Sequence, residues 1–170
     1  MGTWRIHGGD GGTGLTRWQD GLAAAFVRLD AEQRGGGDFA GSIRQTRLPG
    51  GEVSRVTATA HRVVRRRTHI TEAPRDVVFA NLQISGRGEI DLPGAPQRTA
   101  PMDLGVVHSA ERYAIAHDGP FELISFALPL DDLPRGLGMG VTPLSRSGAG
   151  RELAGVLAGL AALAERLPEA

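Results

Sequence analysis

Residues 76–96, DVVFANLQISGRGEIDLPGAP, decide the fold. Asp76 to Ile84 is rich in β-branched and apolar side chains and predicts a strand. Gly86-Arg87-Gly88 predicts a tight turn into a second strand, Glu89 to Leu92, and residues 93–96 (PGAP) turn the chain again. This stretch therefore favours short strands joined by tight turns.

The same pattern extends in both directions. Further strands are predicted, on the same grounds, at Phe39–Leu48, Glu52–Val64, Leu104–His108, Arg112–Ala116 and Phe121–Leu128. Their spacing of about ten residues is typical of an antiparallel barrel or sandwich and not of an alternating α/β fold.

Helices are predicted on both sides of the strands. Thr16 and Gln19 have capping-box spacing, and the apolar residues Trp18, Leu22, Phe26 and Leu29 then recur on one helical face. After the strands, helices are predicted at Leu130–Leu137 and Arg151–Leu167. The sequence thus divides into an N-terminal arm and helix (1–38), a β-barrel (39–129) and C-terminal helices (130–170).

The last helix carries an apolar seam at three–four spacing, formed by Leu153, Val156, Leu160, Leu163 and Leu167. Such a seam is typical of a coiled-coil contact between two copies, which predicts a homodimer. The alternative is a helix packed on its own domain.

Composition excludes several classes of protein. The 19 basic and 19 acidic residues balance, so no overall field attracts nucleic acid or an anionic membrane. The chain has no cysteine, which excludes disulfides and thiolate metal sites. Because no apolar run is long enough to span a bilayer and the N-terminus does not resemble a signal peptide, a cytoplasmic location is expected.

The order of several short strings resembles the N-terminal domain of AraC/XylS-type transcription regulators. The strings are Trp18–Leu29, Phe39–Ile43, Glu52–Val56, Arg67-Thr68, Leu82–Gly86, Pro101–Leu104, His108–Tyr113 and Phe121–Pro129. The resemblance implies a cupin-like antiparallel β-barrel (a double-stranded β-helix), mainly β with one N-terminal and two C-terminal helices. It also implies binding of a small organic effector and dimerisation.

Some positions depart from the family pattern. Met102 replaces a turn glycine, so the backbone there must avoid positive φ or accept strain. His108 and Arg112 replace a usual Asp and Pro. The family's DNA-binding half, with its helix-turn-helix units, is missing from the sequence, so direct nucleic-acid binding by this chain is not expected.

The histidines do not predict a metal site. Many cupins hold a metal with a close His-x-His pair, whereas His61 and His69 stand eight residues apart with three arginines between them. No nucleophile motif accompanies the serines and histidines. The sequence therefore predicts no catalytic residues, no metal and no cofactor. A metal-dependent cupin enzyme, such as a dioxygenase or isomerase, is the alternative.

Effector-binding residues are predicted from apolar or amphipathic strand positions and from one arginine. The set is Arg67, Phe79, Gln83, His108, Tyr113 and Phe126. Strand alternation would turn Arg67 inward, where its guanidinium could bind a ligand carboxylate through two hydrogen bonds. Plain core packing or a charged strand edge is the other interpretation. An interior too small for a benzene ring would favour a ligand-free dimerisation module.

Overall fold

The computed structural model describes residues 2–7, 13–132 and 138–166, which form twelve strands and three α-helices. The strands are β1 (Gly2–Ile6), β2 (Asp30–Gln33), β3 (Gly41–Leu48), β4 (Gly51–Ala58), β5 (His61–Arg65), β6 (Val77–Ser85), β7 (Gly88–Leu92), β8 (Ala95–Thr99), β9 (Leu104–His108), β10 (Tyr113–His117), β11 (Phe121–Pro129) and β12 (Gly140–Thr142). The helices are α1 (Thr13–Ala25), α2 (Arg67–Glu72) and α3 (Gly148–Ala164).

The strands form two antiparallel sheets. One sheet has seven strands in the order β1-β3-β4-β11-β6-β9-β12, and the other has five in the order β2-β5-β10-β7-β8. The strands β1 and β2, from the predicted N-terminal arm, pair with β3 and β5. This arrangement confirms the predicted mainly-β, antiparallel fold with flanking helices. The division into three segments stays a prediction.

Tight turns lie where the sequence predicts them. Gly50, Gly86 and Gly94 join consecutive strands and have φ of +92°, +76° and +109°, which glycine adopts without a Cβ clash. Met102 has φ of +72°. The backbone therefore does not avoid positive φ at this turn, and it accepts a conformation that costs a non-glycine residue free energy.

Several elements differ from their predicted bounds. The predicted strand 52–64 is two strands, β4 and β5, separated by residues 59–60. The prediction missed β1, β2, β8, β12 and α2. Pro96 lies in β8, which is an edge strand, where a missing N–H is tolerated. The strand β12 has only three residues, too few for a periodic signal.

The N-terminal helix starts earlier than predicted. It begins at Thr13, so Thr16 lies inside the first turns and the predicted capping box at Thr16 is wrong. Trp18 and Leu22 are buried on its inner face. The helix ends at Ala25, and the chain beyond it still places Phe26 and Leu29 against the same core.

The C-terminal helix packs on the outer face of the seven-stranded sheet. Ser147 caps it, its Oγ accepting a hydrogen bond of 2.9 Å from the Gly150 N–H. Ala154 and Ala161 are fully buried against a core cluster that includes Leu82 and Ile124. In the region 130–137, a 3-10 turn covers Leu130–Asp132, and the rest of the predicted helix lies outside the described residues.

Candidate functional site

A cavity lies between the two sheets and is closed on one side by α1. Its volume is about 70 Å³. It is lined by Trp18, Leu22, Phe26, Leu29, Val56, His61, Val63, Phe79, Asn81, Val107, Tyr113, Ile115, His117, Phe121, Leu123 and Ser125. Period-two alternation explains the set, since residues 79 and 81 of β6 and residues 121, 123 and 125 of β11 share the inner face.

Ring side chains dominate the cavity wall. Five of the eight aromatic residues line it, and so do two of the five histidines. The rings of His117 and Phe121 are stacked, with centroids 3.6 Å apart and an interplanar angle of 9°. The rings of Trp18 and His61 are arranged edge to face, with centroids 5.7 Å apart and an interplanar angle of 89°. Planar faces and ring edges are therefore the surfaces that a bound molecule would contact.

Hydrogen bonds fix the tautomers of both histidines. Trp18 Nε1 can only donate and lies 3.2 Å from His61 Nε2, so that nitrogen accepts. His61 Nδ1 therefore donates to the Thr59 carbonyl, 2.9 Å away. The Gln83 amide donates to the Ser85 carbonyl at 2.7 Å, which leaves its Oε1 to accept from His117 Nε2 at 3.2 Å. His61 is thus neutral in this network, and His117 carries a proton on Nε2.

The electrostatics of the cavity agree with neutral rings. Burial lowers the pKa of His61 below its usual value. Burial, reinforced by the nearby His61, lowers the pKa of His117 to about 3. Burial also raises the pKa of the Tyr113 phenol above its usual range. Because no Asp, Glu, Lys or Arg is among the described residues that line the cavity, its wall carries no charge at neutral pH.

One hydroxyl in the cavity wall lacks a partner. Ser125 is 2% exposed, and its Oγ makes no hydrogen bond to any described residue. Asn81 lies directly opposite Ser125 on β6 and also lines the cavity. A buried hydroxyl without a partner costs free energy, about 1–3 kcal/mol by mutational data. Ser125 and Asn81 are therefore two neighbouring polar groups that the cavity offers to a ligand, besides the phenol of Tyr113.

The structure brings three of the six predicted effector-binding residues to the cavity. Phe79 and Tyr113 line it directly, and Gln83 reaches it through its hydrogen bond to His117. Sequence reasoning missed Asn81, although it stands between Phe79 and Gln83 at period two. It also missed Ser125, because Phe126 was selected one position later and so on the opposite face.

The other three predicted residues lie elsewhere. Phe126 faces α3 in the outer core cluster, and His108 Nε2 pairs with Asp76 at 2.6 Å near the surface. The strand β5 ends at Arg65, so Arg67 is exposed at the start of α2 and the inward position belongs to Arg65. That these residues bind a ligand stays a prediction.

Arg65 ties three loops to the sheet. It is 1% exposed, and its guanidinium donates to the carbonyls of Ser109, Arg28 and Ala73 at 3.1, 2.9 and 3.2 Å. Burial lowers the pKa of this guanidinium from its usual value. The side chain thus stabilises the fold at the end of the cavity where Tyr113 lies.

The residues do not fit a cupin metal centre. Within residues 2–7, 13–132 and 138–166, no three His, Asp or Glu side chains come together in a way that could hold a metal ion. Both nitrogens of His61 are engaged by protein groups, so a metal there would have to break the bond from Trp18. The donor set therefore does not favour the metal-dependent enzyme.

Comparisons with known proteins agree with the fold. The structure of the AraC-like transcriptional activator CuxR superposes with a TM-score of 0.74 at 19% identity, over 98% of this chain and 60% of that one. Ectoine synthase from P. lautus superposes with a TM-score of 0.42 at 14% identity, over 52% of this chain and 64% of that one. No described helix is long and apolar enough to cross a membrane.

Sequence comparisons identify the family. An uncharacterised protein in the nit 5′ region of Bacillus sp. (strain OxB-1) is 30% identical over 112 residues, 66% of this chain and 43% of that protein. The chain thus spans less than half of that relative and about three-fifths of CuxR. The AraC-binding-like domain model matches residues 18–170. The chain belongs to the AraC-binding-like domain family.

Proposed function

We propose that the chain is the effector-sensing and dimerising part of an AraC-type transcription regulator that acts in the cytoplasm. The observation that carries the proposal is a family match over residues 18–170 on a fold that has a ring-lined cavity between its sheets. The cavity would bind a small organic effector, and a DNA-binding domain would convert occupancy into a change in transcription. This chain would not itself bind DNA.

The exposed seam of α3 supports dimerisation. Leu153, Val156, Leu160 and Leu163 are 49–58% exposed, while Ala154, Ala161 and Ala164 of the same helix are buried. Leu167, the fifth seam residue, lies outside the described residues. Large apolar side chains at coiled-coil spacing are stabilised by a second copy of the same helix.

The wall formed by α1 supports a coupling between effector and structure. Strand walls are held by backbone ladders, whereas α1 is held by side-chain contacts such as the bond from Trp18 to His61. A cavity of about 70 Å³ is roughly half the ~150 Å³ that accommodates benzene. A ring-sized effector would therefore displace α1, and that displacement would be the signal.

The same volume favours one second candidate, a ligand-free dimerisation module. If α1 cannot move, the interior is too small for a ring and serves only as core. Thermal unfolding with small aromatic alcohols, amides, acids and amines separates the two functions, because a ligand that binds the native state raises Tm by mass action. A reproducible rise with one chemical class supports sensing, and no rise with any class supports the module.

Light scattering tests the dimer. Wild type is expected at twice the 17.9 kDa of one chain. Leu160→Glu is expected to shift the mass to one chain, because it places a charge in the seam. Gly155→Glu is the matched control, since it adds the same charge to α3 where a Cβ would meet nothing within 4 Å. A monomeric wild type, or equal loss of the dimer in both variants, contradicts the proposal.

A further inference from the structure

We infer that the cavity selects uncharged aromatic compounds with one hydroxyl or carbonyl group, bound through Ser125 and Asn81, and excludes carboxylates and ammonium ions. This inference rests on the proposed sensing function and adds the chemical class of the effector. It is carried by the composition of the wall and by the unpartnered Ser125 hydroxyl.

Charge exclusion follows from the wall. An ionised ligand would leave water and find no opposite charge among the described lining residues. Burying an unpaired charge costs more than the apolar contacts of one ring return, so acids and amines would bind poorly. Arg65 does not change this, because its guanidinium is already engaged by three backbone carbonyls.

The polar group of the ligand is set by Ser125. The hydroxyl of Ser125 can donate to a carbonyl or accept from a hydroxyl, and Asn81 opposite offers an amide that can do either. Of the other polar side chains of the wall, those of His61 and His117 are bonded to protein groups, and Tyr113 is the cross-strand neighbour of Arg65. A ligand that carries one polar group on an apolar ring matches the adjacent polar side chains of Ser125 and Asn81.

The test is a titration of wild type with a matched series on one ring: toluene, benzyl alcohol, benzamide, benzoate and benzylamine. Calorimetry at pH 7.5 is expected to show saturable binding of benzyl alcohol and benzamide, with benzoate and benzylamine at least tenfold weaker. Binding of benzoate or benzylamine as tight as that of benzyl alcohol overturns the inference and leaves the sensing function standing. Binding by none of the five overturns both.

Two variants test the role of Ser125. Ser125→Ala is expected to weaken benzyl alcohol about 3- to 10-fold, the effect of losing one neutral hydrogen bond, and to leave toluene unchanged or tighter. Thr46→Val is the control, since Thr46 Oγ1 is also buried without a partner among the described residues but lies outside the cavity lining. Equal affinity for benzyl alcohol in Ser125→Ala and wild type contradicts the assignment of Ser125.

Discussion

The imidazole of His117 lies flat on the ring of Phe121, with 3.6 Å between the ring centroids. His117 is 3% exposed, and its cross-strand neighbour is a second buried imidazole, His61. A proton on either ring would place a charge in an apolar cavity beside another imidazole. The fold therefore holds both histidines neutral, and this makes its stability depend on pH.

The free energy of unfolding is expected to fall between pH 7 and pH 5. The pKa of His117 is about 3 in the folded state, below its ordinary value of about 6.5, so acid protonates the unfolded state first. The stability that the neutral His117 ring contributes is fully present above pH 6.5 and is lost as the pH falls toward 3. Between pH 7 and pH 5, urea unfolding should show that His117 lowers the free energy of unfolding by about 2 kcal/mol. His61 should add a loss in the same direction.

A variant isolates this effect. His117→Gln should reduce the loss between pH 7 and pH 5, whereas His7→Gln, at an exposed position, should retain it. The same loss in His117→Gln as in wild type would show that other groups cause the pH dependence.

Arg65→Lys is expected to destabilise the protein by at least about 2 kcal/mol. Lysine has no planar fork of donors, so it cannot reach the carbonyls of Ser109, Arg28 and Ala73 together, and buried acceptors lose their partners. Denaturant unfolding measures the change. Arg67→Lys, at an exposed position, should stay within about 0.5 kcal/mol of wild type. Similar costs for the two variants would contradict the anchoring role of Arg65.

Arg55 joins the C-terminal end of α3 to the sheet. It pairs with Glu122 on β11 and donates from Nε to Glu165 at 2.7 Å, and these side chains are 16–29% exposed. Arg55→Leu removes this partner from Glu122 and leaves Glu165 with the longer pair to Arg44 at 3.7 Å, at a cost of about 1–3 kcal/mol. Hydrogen exchange should also become faster in the last turn of α3.

The surface pair Arg28–Glu72 provides the comparison for Arg55. Both side chains are more than half exposed, so Arg28→Leu should cost less than about 1 kcal/mol. If exchange in α3 is unchanged in Arg55→Leu, the ion pairs do not hold the helix to the sheet.

Much of the fold follows from local chemistry that the sequence displays. The strands from Val77 to Leu92 are predicted correctly because β-branched runs are bounded by glycines at positive φ, a signal contained within the segment itself. The strand β2 (Asp30–Gln33) was missed because its acidic and amide residues have low strand propensity, and its pairing with β5 forms only in the tertiary fold.

The candidate site was less predictable, because it depends on whether the odd-numbered or the even-numbered residues of each strand face inward. On β6 the structure places the predicted Phe79 in the cavity wall and bonds Gln83 to the lining residue His117. On β11 it places Ser125 in the wall and the predicted Phe126 on the opposite face. The inward-facing arginine is Arg65 and not the predicted Arg67, because β5 ends at Arg65 and Arg67 begins α2. Strand ends of this kind are set by long-range pairing that one sequence does not display.

The most direct test of the sensing cavity is a calorimetric titration of benzyl alcohol into wild type and into Val63→Phe. Val63 lines the cavity, so the larger ring should fill the space and leave the dimer intact. Saturable binding with one site per chain in wild type, lost in a Val63→Phe variant that still unfolds cooperatively, is the predicted result. Unchanged binding in Val63→Phe, or no binding to wild type, would contradict an effector site between the two sheets.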